Sequence, residues 1–137
     1  MTFLMSIKPE YAELILSRKK TVEIRKKRIH AVAGDVVIVY ATAPIKSIVG
    51  YFTIKCVDYG PALQIWETYG HDSCLTLEKY YMYVRDANMV CAICLEDATR
   101  TKTVDLGTIR NDYHIHIPQS YMCLEEVLVR ELRGEML

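Results

Sequence analysis

Two adjacent segments in the middle of the chain constrain its fold more than any other feature. GDVVIVYAT, residues 34–42, and KSIVGYFTIKCVDY, residues 46–59, are rich in β-branched and aromatic residues. Such residues favour strands, and Pro44 interrupts the pattern between the two segments. The pattern predicts two neighbouring strands, the second of them long, with Gly50 as the site of a bulge.

Shorter elements surround these two strands. Alternation and β-branched residues predict strands at residues 3–7, 21–27, 89–100 and 103–109. Apolar residues at helical spacing predict helices at residues 9–19, 62–70 and 75–84, and over part of residues 118–132. This succession predicts an α+β fold built on a mostly antiparallel, barrel-like sheet. The length of 137 residues fits one domain, residues 1–137.

Charge is distributed unevenly along the chain. Seventeen Lys and Arg balance seventeen Asp and Glu, so the net charge indicates no class of partner. Seven of the basic residues nevertheless lie in RKKTVEIRKKR, residues 18–28, around a single glutamate. This run predicts a local positive patch on a neutral protein. The competing interpretation is a solvated face with a surface ion pair, which is the commoner meaning of a charge run.

Alternation inside this run predicts a strand with one buried face and one functional face. Val22 and Ile24 point towards the core, and Glu23 and Arg25 point the other way. Side chains two residues apart on a strand are about 7 Å apart, so the Glu23 carboxylate can orient the Arg25 guanidinium. A guanidinium grips a phosphate or a base edge, and Lys20 at the rim adds a point charge.

The same run resembles the signature of the ASCH domain, a member of the PUA-like superfold. That signature is Gly-x-Lys-x-x-Glu-x-Arg after a helix, and Lys20, Glu23 and Arg25 match it, with Arg18 in the glycine position. IPQSY, residues 117–121, resembles a Pro-Gln-Ser-aromatic element near the family's C-terminus. The resemblance covers nearly the whole chain. It implies a PUA-like, mostly antiparallel β-barrel with a few short helices and a cleft lined by the signature residues.

By the same resemblance, RNA or a nucleotide is the expected partner, in RNA metabolism or transcription-linked regulation. Basic residues would neutralise phosphates, and tyrosines would offer stacking faces to unpaired bases. The candidate tyrosines are Tyr40, Tyr51, Tyr80, Tyr81, Tyr83 and Tyr121. Tyr40 is favoured among them because it follows the signature in the family pattern. The predicted RNA- or ligand-binding residues are Arg18, Lys19, Lys20, Glu23, Arg25, Lys27, Tyr40, Gln119 and Ser120.

An enzymatic function is the alternative. Part of the family hydrolyses the acetyl group of acetylated cytidine nucleosides with a lysine, a threonine and a glutamate, and other members are described as ribonucleases. Here the lysine matches Lys20, Glu23 stands in the threonine position, and Asp72 is the nearest candidate for the glutamate. In such a small hydrolase Lys20 would be the nucleophile or base, and Glu23 a proton shuttle. A role in protein interaction or regulation stays open as a third hypothesis.

Cysteine and histidine patterns do not indicate a metal centre or a cofactor. In CAIC, Cys91 and Cys94 would face opposite sides of a strand, and no second pair completes a zinc site. His114 and His116 would share a strand face without a third ligand. We therefore expect no cofactor and no bound metal.

Cellular location and assembly are only weakly constrained. The five cysteines follow no disulfide framework, no signal peptide opens the sequence, and no apolar run approaches the roughly 18 residues of a membrane span. These features predict an intracellular, cytoplasmic protein that does not enter a membrane. Both a monomer and a homodimer fit the sequence.

Overall fold

Six strands and five α-helices account for most of the chain in the computed structural model, which describes residues 1–137. The strands are β1 (Thr2–Ile7), β2 (Val22–Arg25), β3 (Val36–Ala41), β4 (Ser47–Pro61), β5 (Met89–Asp105) and β6 (Tyr121–Leu124). The helices are α1 (Pro9–Leu16), α2 (Ala62–Tyr69), α3 (Leu77–Val84), α4 (Leu106–Asn111) and α5 (Glu126–Met136), and a 3₁₀ turn (Gly70–Asp72) follows α2.

All six strands belong to one sheet with the order β2-β5-β4-β3-β1-β6. Only β1 and β3 pair in parallel, and the other four pairings are antiparallel. The predicted α+β class is confirmed. The edge strands β2 and β6 do not pair with each other, so the sheet is not closed and the expected barrel is not confirmed.

The two edges of the sheet are nevertheless connected. The backbone N–H of Ser6, on β1, donates to the carbonyl of Ser120, immediately before β6, at 2.9 Å. From β2, Arg25 donates through Nη2 to the Ser6 carbonyl at 2.9 Å and through Nη1 to Ser120 Oγ at 3.3 Å. A side chain therefore bridges the gap that a backbone ladder would fill in a closed barrel.

The buried residues form three clusters. The first two lie on opposite faces of the sheet, because side chains on adjacent positions of a strand point to opposite faces. On β1, Phe3 and Met5 belong to the first cluster, beside α1, and Leu4 belongs to the second, beside α4 and α5. The third cluster lies where α2 and α3 cover the end of the sheet at β2, and it contains Val22 and Ile24. The predicted orientation of these two side chains is confirmed.

Two sequence-based expectations for local structure are wrong. Residues 103–109 do not form a separate strand, because residues 103–105 extend β5 and α4 begins directly afterwards. The cause is Asp105, whose carboxylate accepts a hydrogen bond from the Thr108 N–H at 2.8 Å and caps α4. Residues 114–118 are irregular, so His114 and His116 do not share a strand face.

The predicted bulge at Gly50 is confirmed. The pairing of β4 with its neighbours shifts register beside Gly50. A Cβ there would meet the Thr99 carbonyl and the Leu16 side chain, which explains the glycine. Thr76 caps α3 by accepting a hydrogen bond from the Lys79 N–H at 3.1 Å. None of the helices combines the length and the apolar character that crossing a membrane requires.

Candidate functional site

A cleft of about 1020 Å³ opens beside the gap between the two edges of the sheet. One wall is formed by the end of β1 and the first turn of α1, the floor by β2, and the opposite wall by α3. Its polar lining residues are Ser6, Lys8, Glu10, Tyr11, Lys20, Glu23, Arg25, Thr42, Thr76, Glu78, Lys79, Tyr83 and Gln119.

Three charged side chains from the signature run form a chain of contacts at the floor of the cleft. Lys20 Nζ lies 3.4 Å from Glu23 Oε1. The other carboxylate oxygen of Glu23 accepts a hydrogen bond from Arg25 Nε at 3.0 Å and lies 2.9 Å from Nη2. Glu23 therefore lies between two cations, and it fixes the orientation of the Arg25 guanidinium, as the alternation in the sequence predicts. The expected position of Lys20 at the rim is wrong, because its side chain is buried at the floor of the cleft.

Lys20 is the most deeply buried member of this group, with 1% of its side chain exposed. Burying an ammonium is costly unless its hydrogen bonds are replaced. Its Nζ donates to the Ser73 carbonyl and lies 5.3 Å from the centre of the Tyr11 ring, in addition to its contact with Glu23. These contacts compensate for the lost water and connect β2 to the turn that precedes α3.

Arg25 is the member of the group that is best placed to meet a ligand. A guanidinium has five N–H groups. Glu23 and Ser6 occupy Nε and Nη2, and Ser120 takes one N–H of Nη1. These contacts leave the second N–H of Nη1 without a partner, and 14% of the Arg25 side chain is exposed. Arg25 can thus donate to a ligand in the cleft while its other contacts hold it in place.

Two tyrosines beside the cleft keep their hydroxyl protons over a wide pH range. Burial is the main cause that raises the pKa of Tyr11, with smaller contributions from Glu10 and Glu23. Burial also raises the pKa of Tyr83, and Arg25 partly offsets this. Both phenols therefore remain hydrogen-bond donors well above neutral pH.

The charge lining the cleft is mixed. Four basic residues face three acidic ones, which leaves an excess of one positive charge. The basic residues are Lys8, Lys20, Arg25 and Lys79, and the acidic ones are Glu10, Glu23 and Glu78.

The predicted binding residues are only partly brought together. Lys20, Glu23, Arg25 and Gln119 line the cleft, and Ser120 contacts it through Arg25.

The remaining predicted residues lie elsewhere. Arg18, Lys19 and Lys27 are exposed but do not line the cleft, and Arg18 Nε donates instead to the Ala98 carbonyl at 3.1 Å. Tyr40 is 4% exposed and packs in the second cluster, which leaves no open ring face for a base. Asp72, the candidate for a catalytic glutamate position, does not line the cleft either.

Sequence reasoning missed the wall contributed by α3. Tyr83, Lys79 and Glu78 reach the cleft from residues far along the chain. Tyr83 was one of six candidate stacking tyrosines, whereas Lys79 and Glu78 were not predicted. Nothing in the sequence indicated that the amphipathic helix carrying all three lies over β2. Lys8 and Tyr11 were also missed, although their proximity to the signature run could have indicated them.

No group of three or more His, Cys, Asp or Glu side chains is arranged to hold a metal ion. Cys91 packs in the first cluster and Cys94 in the third, on opposite faces of β5 as predicted.

Comparisons of sequence find a matching family model and a relative. A family model described as "ASCH domain" matches residues 5–99. A curated protein from Zymomonas mobilis, described as an ASCH domain-containing ribonuclease, is 28% identical over 106 residues. That match covers 77% of this chain and 72% of the relative.

Comparisons of structure agree over nearly the whole chain. The crystal structure of ASCH from Zymomonas mobilis has a TM-score of 0.92 and 26% identity, covering 97% of this chain and 94% of that one. A single-substitution mutant of it gives a TM-score of 0.94 at 25% identity, covering 99% and 96%. The N-terminal domain of Staphylothermus marinus McrB has a TM-score of 0.61 at 8% identity over 97% and 93% of the two chains, which indicates a shared fold alone.

Proposed function

Because this chain belongs to the ASCH domain family, we propose that it binds single-stranded RNA in the cleft around Lys20, Glu23 and Arg25 and cleaves it there. One observation carries the proposal: the fold matches that of the Zymomonas mobilis ASCH protein over nearly its full length, and a curated relative from that organism is described as a ribonuclease. The role proposed is thus in RNA metabolism.

The size and chemistry of the cleft support a nucleotide ligand. Ligand pockets usually measure about 300–1,000 Å³, and the cleft has about 1020 Å³. The free N–H of Arg25 and the hydroxyl of Ser120 would bind a phosphate at the gap between the sheet edges. The half-exposed ring of Tyr83 would offer a base a stacking face on the opposite wall.

Arg25 is the residue proposed to act on the reacting phosphate. RNA cleavage by the neighbouring ribose 2′-hydroxyl forms a new oxygen–phosphorus bond, which gives a 2′,3′-cyclic phosphate, and the bond to the 5′-oxygen of the next nucleotide breaks. Water takes the proton from the 2′-hydroxyl and returns one to the departing 5′-oxygen. Negative charge builds on the phosphate oxygens during this step, and a pre-oriented guanidinium stabilises it. Glu23 accepts from Arg25 Nε already, so it is proposed to position Arg25 rather than to accept the proton.

A cleavage assay tests this proposal. The purified protein is incubated with an end-labelled single-stranded RNA, and products are separated by size. We expect cleavage by the wild type and a loss of about a hundredfold in Arg25→Ala, the usual scale for removing one transition-state donor. Lys102→Ala is the matched control, since Lys102 is an exposed cation outside the cleft. Equal cleavage by the two variants, or none by the wild type, would contradict the proposal.

A nucleoside deacetylase is the second candidate, and the burial of Lys20 favours it. A lysine can act as nucleophile or base when it is removed from water, and 1% of the Lys20 side chain is exposed. Incubation with N4-acetylcytidine would then release acetate, and Lys20→Ala would abolish the release. If the protein cleaves RNA but releases no acetate, this second candidate is excluded.

A further inference from the structure

A short basic turn directly follows the cleft residue Arg25. Lys26, Lys27 and Arg28 are consecutive and exposed. Two of them lie on tyrosine rings: Lys26 Nζ is 5.3 Å from the centre of Tyr83, and Arg28 Cζ is 5.6 Å from the centre of Tyr59. We call these two cation–tyrosine pairs, with Lys27 between them, the tyrosine–cation track.

The protein holds this turn in a defined position. The next residue, Ile29, is 2% exposed and packs in the first cluster. The carbonyl of Arg28 accepts a hydrogen bond from the Tyr121 hydroxyl at 3.4 Å. The cations of the track are therefore attached to a fixed backbone, unlike those of a free loop, and less entropy is lost when a ligand binds them.

The track continues from the cleft. Tyr83 belongs to both, because its ring lines the cleft and carries Lys26. The Tyr59 end of the track also lies close to the cleft. Arg25 of β2 pairs with Cys91 of β5, and Cys91 pairs with Tyr59 of β4. Neighbouring strands are about 4.8 Å apart, so the backbone of Tyr59 lies about 10 Å from that of Arg25. This spacing is within reach of the nucleotide next to one bound at Arg25.

We propose that the tyrosine–cation track is a second binding subsite for single-stranded RNA, which takes the nucleotides adjoining the one held in the cleft. This inference rests on the proposed function. Lys26 and Lys27 contact phosphates, and the guanidinium of Arg28, lying over Tyr59, gives an unpaired base a planar face on which to stack. Stacking on arginine and aromatic planes is typical of single-strand recognition. The subsite has no preference among the four bases, because each of them has a π-face.

Tyr59 and Tyr83 are suited to this role by their exposure, which is 38% and 39%. A tyrosine whose ring only fills the core would be covered, as Tyr80 is at 0%. The half-exposed rings keep their cations in place and leave room for a base beside them.

The test compares a single nucleotide with a longer oligonucleotide. Binding of cytidine monophosphate and of a labelled RNA of about eight nucleotides, the size of a typical single-strand site, is measured for the wild type and for Lys26→Ala/Arg28→Ala. We expect about tenfold weaker oligonucleotide binding in the variant and unchanged binding of the mononucleotide. The slope of log K against log salt concentration should fall by about 0.7 for each phosphate contact removed.

Further variants separate stacking from charge. Arg28→Lys keeps the charge but removes the planar guanidinium. It should have the salt slope of the wild type but bind the oligonucleotide more weakly than the wild type does. Lys102→Ala and Arg130→Ala remove exposed cations away from the track and should behave as wild type. Thermal unfolding of each variant checks that the fold is retained.

The outcomes distinguish this proposal from the one on which it rests. If the wild type binds neither the mononucleotide nor the oligonucleotide, the proposed function fails, and the track fails with it. If the wild type binds the oligonucleotide and the double variant binds it equally well with the same salt slope, the track alone is overturned.

Discussion

At the scale of single residues, the burial of Lys20 determines much of the local structure. An ammonium with 1% of its side chain exposed has to satisfy its charge and its hydrogen bonds inside the protein. It does so through the Ser73 carbonyl and the Glu23 carboxylate. The N–H of Thr21 also donates to the Asp72 carbonyl at 3.1 Å, beside the same turn. Lys20 therefore holds the turn before α3, and with it one wall of the cleft, whatever chemistry it performs.

Replacing Lys20 should destabilise the protein strongly. Lys20→Met keeps the volume but leaves the Ser73 carbonyl without its partner and Glu23 with one cation fewer. We expect the free energy of unfolding to fall by about 3 kcal/mol, since breaking a buried pair leaves an uncompensated charge. Urea unfolding of the wild type and the variant measures this change in the free energy of unfolding. Lys19→Ala changes an exposed neighbour and is the control; equal midpoints for the two variants would show that the buried contacts are unimportant.

The sequence predicts some site residues better than others for a physical reason. Glu23 and Arg25 were predictable because strand alternation alone separates their face from that of Val22 and Ile24. Lys20 lies before β2 and was predicted only from its match to the ASCH signature. The position of Tyr40 was not predictable in this way. Alternation places it opposite Val39 on β3, but only tertiary packing decides that its face is covered by the second cluster.

At the scale of elements, the helices α2 and α3 form one unit over the end of the sheet at β2. Tyr80 of α3 is fully buried, and its hydroxyl donates to the Ala62 carbonyl at the start of α2 at 2.6 Å. Its ring packs against Trp66 of α2, with 4.9 Å between the ring centres. The position of the wall that carries Tyr83 therefore depends on Tyr80.

Tyr80 gives the protein a predictable sensitivity to alkaline pH. Burial, with a smaller effect of Tyr81, raises the pKa of Tyr80 to about 12, against about 10 in an unfolded chain. Above about pH 10 the unfolded state loses this proton first, so stability is intact below pH 10 and falls between about 10 and 12. Burial and Asp58 also raise the pKa of Tyr69, which adds to the same loss.

Tyr80→Phe should lower stability at neutral pH by about 1 kcal/mol, the net value of one hydrogen bond, and reduce the decline at high pH. Chemical unfolding at neutral and alkaline pH measures both effects. The control is Tyr81→Phe, which alters a tyrosine that is 40% exposed. An unchanged decline in Tyr80→Phe would contradict the role given to this hydroxyl.

Close contact between elements also explains Gly50 on β4. A methyl group there would meet the Thr99 carbonyl on β5 and the Leu16 side chain of α1. We expect Gly50→Ala to destabilise the protein by about 2 kcal/mol through overpacking. Gly134→Ala makes the same chemical change in α5 with nothing within 4 Å of the new atom, and it should stabilise the protein by up to about 1 kcal/mol. Thermal unfolding of both variants measures these changes in stability. A change of the same sign in both variants would contradict this account.

At the scale of the whole molecule, the open sheet explains where the cleft lies. The sequence was sufficient to predict five of the six strands and their mostly antiparallel pairing, because periodicity is a local property. It did not predict β6, which lies in a segment expected to be partly helical. It did not reveal that β2 and β6 stay apart, since closure depends on how all six strands curve together. Arg25 bridges these edges to Ser6 and Ser120, and the cleft opens beside that bridge. The signature arginine thus belongs to both the fold and the site.

The central claim is that the cleft around Arg25 is an RNA site, and a binding titration tests it most directly. The labelled single-stranded RNA is titrated with wild type, Arg25→Ala, Arg25→Lys and Lys102→Ala at low and moderate salt, after thermal unfolding has shown that each is folded. We predict binding by wild type and Lys102→Ala that weakens with salt. Affinity should fall at least about tenfold in Arg25→Ala. It should recover in part in Arg25→Lys, which keeps the charge but lacks the planar set of N–H donors of the guanidinium. Equal affinity of all four proteins, or no binding by the wild type at low salt, would contradict the claim.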